Sequence, residues 1–156
     1  MKGRESGMGN RESSKRPHER LEVWRDARDL VESIYRFSAV FPDAERFGLT
    51  SQLRRAAVSV PSNIAEGAAR RSTPEYLRFL SIARGSLSEM DTQKQIACRL
   101  GYAPDCETTT ALIDRTFAKL TALMNAVGNS SKSRTPLAGS SDTPFPIPDS
   151  RPSHAR

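Results

Sequence analysis

The sequence predicts an all-α protein, an up-down-up-down four-helix bundle. Three observations carry this. Apolar residues recur at three-and-four spacing through residues 21–127, helix-start and helix-stop residues fall between the periodic runs, and no alternating strand pattern competes. Helices of this length joined by short connections fit a bundle.

The first helix is expected over 21–40. Leu21, Trp24, Ala27, Leu30, Val31, Ile34, Phe37 and Phe41 fall on one face, and Trp24 reads as core. "FPDAERFG" interrupts the pattern. A second run extends from Leu49 to Arg71. Ser72 and Glu75 form a capping-box pattern with Pro74 in the first turn, so a third helix starts there. It carries Leu80, Ala83, Leu87, Met90 and Ala97 to Gly101, a residue suited to the position after a helix end. Pro104 and Asp105 open a fourth helix, with Leu112, Ile113, Phe117, Leu120 and Val127 along it and Gly128 as its expected stop. Gln93 and Lys94 read as surface or interface polar residues.

The bundle domain is therefore expected over residues 20–128. Residues 1–19 are polar with no apolar period, and 129–156 are rich in Pro and Ser, so both are expected to be disordered tails. "PFPIP" favours extended polyproline geometry, read mainly as solvated tail and secondarily as a ligand for a polyproline groove. The formal net charge is +6. Residues 1–20 hold six basic and three acidic side chains, 21–127 hold fourteen and thirteen, and 128–156 hold four and two. The high pI thus comes mostly from the ends and does not by itself make the folded part a nucleic-acid binder.

No apolar run approaches the roughly 18 residues of a membrane span, and the N-terminal stretch lacks the apolar segment of a secretory signal. Cys98 and Cys106 form no disulfide framework and no metal set, so reduced thiols and a cytoplasmic, bacterial setting are expected. His18 and His154 both fall in the expected tails, which removes the commonest general base and metal ligand from the bundle. "RESSKRPH" has a loose Arg-then-His spacing but lies in a polar tail. No phosphate loop, no nucleophile–base set and no paired carboxylates appear. The chain is read as not an enzyme, with no cofactor and no metal.

The second helix is the unusual one. Leu49, Leu53, Ala56, Val60, Ile64 and Gly67 form its core stripe. A third side carries Arg54, Val58, Pro61, Ala65, Ala68 and Ala69, small and mostly apolar, so this helix is expected to pack on more than one side, centrally or against another subunit. Pro61 removes a hydrogen bond to the Ala57 carbonyl, and a kinked but continuous helix is favoured over two short ones because the apolar period stays in phase. The hydroxyls of Ser59 and Ser62 are placed to absorb the freed groups.

Its polar stripe contains Arg55, Asn63, Glu66 and Arg70, read as a structural network that satisfies Glu66 at a helix contact. Between Arg54 and Arg84 six basic residues face two acidic ones. Arg54, Arg71, Arg78 and Arg84 are therefore the candidate phosphate contacts. Few aromatics are expected beside them, so base stacking should add little.

Several stretches also resemble a known family. They are "VW" in the first helix, "FP" followed by "ERFGLTSQLRRAA", "VPSNIAEG" and "RFLSIARGSL", together covering about residues 21–102. They resemble the four-helix-bundle family named for the 23S rRNA intervening-sequence protein. The resemblance implies a small helical bundle assembling as a homopentamer. Founding members of that family are encoded in insertions within bacterial 23S rRNA genes. A related protein is the accessory subunit of diversity-generating retroelements, which binds nucleic acid and its reverse transcriptase. The expected partners are accordingly further copies of the chain, RNA or DNA, and a nucleic-acid-processing protein. Two function classes remain: a ribonucleoprotein accessory module, and an assembly scaffold with no nucleic-acid role.

Overall fold

A computed structural model describes residues 16–132. The expected tail segments 1–15 and 133–156, with "PFPIP" and His154, lie outside the described residues. Four helices make up the fold: α1 (Glu22–Phe37), α2 (Leu49–Ala68), α3 (Thr73–Arg99) and α4 (Glu107–Lys132). Each packs on its neighbours in chain order and α4 closes against α1, with the contact between α2 and α3 the most extensive. Ser33 meets Thr109 while Asp26 meets Arg115 and Lys119, so α1 and α4 run antiparallel. Ser59 meets Ser86, and Gly67 faces Tyr76 and Phe79, so α2 and α3 are antiparallel as well.

The core forms where the apolar stripes converge. Leu30, Ile34, Leu53, Val60, Ile64, Leu80, Leu87, Met90, Ile113 and Leu120 are almost completely buried. Trp24 sits at the rim of this core and is only half-buried. Gly67 lets α2 approach α3 closely, since a Cβ there would lie 2.9 Å from Tyr76 Cδ2 and from the Phe79 Cβ.

Helix ends follow the local chemistry. The Ser72 hydroxyl caps α3 by accepting from the Glu75 amide and donates to the Glu75 carboxylate at 2.7 Å. Gly101 has φ 72°. Its amide and that of Tyr102 bond back to the carbonyls of Cys98 and Ala97, the double closure of a Schellman motif. Four expected boundaries differ. The first run ends as α-helix at Phe37 and finishes as a 3-10 turn, Ser38–Val40. Helix α2 stops at Ala68, before the expected Arg71. Helix α4 starts at Glu107, after Pro104 and Asp105, and passes through Gly128 to Lys132. A helix tolerates an interior glycine at about 1 kcal/mol, so a glycine without a left-handed turn need not stop it.

The chain also orders earlier than expected. Pro17–Arg20 form a 3-10 turn that packs on α1 and on α2. His18, placed in the tail by the sequence, lies with its ring 4.8 Å from that of Trp24. This turn and α1 both pack on α2, and Pro61, on its second apolar side, is buried within the chain. Helix α2 is thus one of four corners, not a central helix, and Val58 remains 41% exposed. Across Pro61 the helix is continuous. The Ser62 hydroxyl donates to the Val58 carbonyl and Ser59 pairs with Ser86, so neither serves the Ala57 carbonyl.

Candidate nucleic-acid interface

Two groups of charged side chains are satisfied inside the fold, and neither was foreseen. Asp26, 8% exposed, accepts two hydrogen bonds from Arg115 at 3.1 Å, and Lys119 lies 2.9 Å away while also reaching Glu22. The hydrogen bonds to Asp26 and Glu22 raise the pKa of Lys119 above its ordinary value. On the other side of α4, Lys94 donates to Asp105 and to Thr110 Oγ1 at 2.9 Å. The bond from Lys94 holds the Asp105 carboxyl below the usual carboxylate range. Lys94 is 3% exposed and Gln93 is 7% exposed, so both belong to the interior and not to the surface. The Gln93 amide donates to Glu89 at 2.9 Å, and its buried Oε1 has no partner among the described residues.

A signal for both groups existed in the sequence. Asp26 lies three residues after Val23 and four before Leu30, and Lys94 lies four after Met90 and three before Ala97. Both sit in core stripes. A charged residue in such a position is held by partners from another helix.

Of the expected structural network on α2, the i,i+4 pair of Glu66 with Arg70 forms within the chain, while Arg55 and Asn63 do not join it. Glu66 pairs with Arg70 one turn on, and both side chains are exposed, at 53% and 37%. Arg70 also lies 4.7 Å from the centre of the Phe79 ring. Asn63 donates to the Ser59 carbonyl and hydroxyl at 2.8 and 2.9 Å. Arg55 is exposed and makes no hydrogen bond or ion pair among the described residues. Four residues on one stripe share a face, but i,i+4 geometry joins only neighbouring turns.

The four candidate phosphate contacts fall into two places. Arg71, Arg78 and Arg84 lie at the α2–α3 turn and along the first half of α3, exposed and without a carboxylate partner among the described residues. Arg54 is elsewhere, about 20 Å back along α2 from its C-terminal end. Its Nε donates to Ser38 Oγ at 2.8 Å and its guanidinium lies 4.7 Å from the Tyr35 ring centre. The expectation of few aromatics fails there. Phe47, in the turn before α2, is 89% exposed and carries Arg46 over its ring at 5.6 Å, and Tyr35 is 44% exposed. Phe47 lies outside every periodic run, so no helical pattern points to it.

The thiols of Cys98 and Cys106 are free and half-buried. Burial pushes the Cys98 thiol up, while hydrogen bonds from Thr109 pull the Cys106 thiol down. No group of three or more His, Cys, Asp or Glu among the described residues is placed to hold a metal ion. None of the described helices is long and apolar enough to cross a membrane.

These features define a class: a small antiparallel four-helix bundle whose internal charges serve stability and whose unpaired arginines face outward. The family model described as 23S rRNA-intervening sequence protein matches residues 19–125, more than half of the chain. The chain belongs to that family. No curated protein gives a significant sequence match.

Proposed function

We propose that the protein is a non-enzymatic, cytoplasmic bacterial module that self-associates and binds RNA or DNA weakly and with little sequence preference. In this role it serves as an accessory subunit to a nucleic-acid-processing protein. The observation that carries the reading is the contrast among its arginines. Arg71, Arg78 and Arg84 are exposed with no carboxylate partner among the described residues, whereas Asp26 and Lys94 draw their partners into closed groups. Exposed arginines at the α2–α3 turn and along the first half of α3 suit phosphate contact. One protomer offers few such contacts, so affinity comes from repetition around an assembly.

Self-association rests on apolar side chains that the fold leaves open. Ile82, Ile96 and Leu100 are all more than 40% exposed. The resemblance that suggests a pentamer sets the expected mass at five chains of 17.2 kDa. The same residues favour a second reading, a scaffold in which the bundle only joins copies or partner proteins.

Anisotropy titration of labelled RNA and DNA against the full chain at low and high salt separates the two readings, with sedimentation giving the mass. Salt-sensitive binding by an oligomer supports the module. An oligomer indifferent to nucleic acid leaves the scaffold, and a stable monomer at micromolar concentration rules out both forms of assembly.

A further inference from the structure

We propose that the cleft between the end of α1, the turn before α2 and the first turns of α2 is a stacking site for unpaired bases of a single nucleic-acid strand. This rests on the nucleic-acid reading above and deepens it by naming the strandedness and the residues.

The cleft measures about 730 Å³, and its nine lining residues include three arginines and no carboxylate. Such a lining attracts a polyanion. Within it, two aromatic rings stand beside guanidinium groups. Arg54 is fixed over Tyr35 by its bond to Ser38, which holds ring and cation in one orientation. Arg46 lies over one side of Phe47, whose ring is otherwise open to water. Arg55, next along α2, has no partner among the described residues. An exposed ring between cations is the arrangement by which single-strand binders take up a base while the phosphates on either side meet arginine.

Strandedness follows from the chemistry of the ring. A duplex hides its base faces, and its phosphates need only the arginines. An open phenyl ring contributes only where bases are unstacked. A second copy of the chain is a poorer occupant. A neighbouring copy seated on it would bury three arginines for which the cleft supplies no carboxylate, a cost that only carboxylates brought by that copy would offset.

The test uses the full chain with a ten-nucleotide oligo-dT, a ten-nucleotide oligo-U and a duplex of the same length. Wild type is compared with Phe47→Ala, Phe47→Leu and Phe47→Trp at fixed low salt, with mass followed by sedimentation. Phe47 is so exposed that none of these substitutions touches the core. The expected result is single-strand affinity lowered roughly 5- to 100-fold by both Ala and Leu, and kept by Trp. Duplex affinity and oligomer mass stay unchanged. Leucine separates the alternatives, because it keeps apolar area but has no π face. If Phe47→Ala lowers the mass and Phe47→Leu restores it, the face is a subunit contact and the proposal is overturned. If both variants bind single strands as wild type does while Arg71→Gln with Arg78→Gln loses binding, the stacking site is wrong and the broader reading survives. If wild type binds neither single strands nor duplex, both fail together.

Discussion

The seam between α1 and α4 and the turn between α2 and α3 use charge in opposite ways. Along the seam, Asp26 is buried and meets Arg115 and Lys119 from the facing helix. At the turn, Arg71 and Arg78 are exposed with no carboxylate partner among the described residues, and Arg70 pairs with the neighbouring Glu66. A buried carboxylate must be paired, so its partners are fixed by folding. A surface arginine costs nothing to leave unpaired, so its position is free to answer to a ligand. Similar residue types are therefore locked into pairs in one region and left open to solvent in the other.

The sharpest way to break this comparison is at the seam. Asp26→Ala removes a doubly bonded acceptor and should cost roughly 1.5–3 kcal/mol in urea unfolding. A cost near zero would mean that the seam does not hold its charges as described. At the α2–α3 contact, Gly67→Ala should cost about 1 kcal/mol or more, because the new methyl meets Tyr76 and Phe79 at 2.9 Å. Gly128→Ala meets nothing within 4 Å inside α4 and should stabilise by up to about 1 kcal/mol. Opposite signs at the two glycines would confirm that close approach, not helix propensity, decides at Gly67.

Acid offers a subtler probe. Lys94 depresses the folded-state pKa of Asp105. Its contribution is therefore present above the unfolded value of about 3.9 and is lost as pH falls through the lower folded value. Asp105→Asn should flatten the acid side of the melting profile in that window. Lys119 has the reverse sign. Its raised pKa gives a contribution present below about 10.4 and lost as pH rises through the folded value.

The sequence carried the fold well because burial imposes periodicity. The stripes through Leu30, Leu53, Leu87 and Leu120 meet in the core, and Ser72 and Gly101 mark real ends because capping is local chemistry. Gly128 misled because nothing there demands a left-handed turn. Pro17–Arg20 was missed because four residues show no apolar period, although Pro17 and the Glu19 carboxylate, which accepts from the Arg16 amide, mark the turn locally and α1 and α2 pack on it. The candidate site was less legible. Counting arginines grouped Arg54 with Arg71, Arg78 and Arg84, although Tyr35 and Ser38 hold Arg54 elsewhere in the fold. Periodicity on one helix also suggested a shared network for Arg55, Asn63, Glu66 and Arg70, whereas pairing depends on one-turn spacing and on what the next helix presents.

The smallest expected effect on stability belongs to the pair on which the proposed nucleic-acid reading rests. Arg71→Gln with Arg78→Gln should move unfolding by less than about 0.5 kcal/mol, as surface substitutions without partners do. The measurement that tests the central claim is the salt dependence of duplex RNA binding by this double variant beside wild type. Wild-type affinity should fall by roughly 0.7–0.9 log units per log unit of salt for each phosphate contacted. The variant should show weaker binding and a shallower slope at unchanged oligomer mass. An unchanged slope and affinity would contradict the account, and a loss of mass would place those arginines in a subunit contact instead.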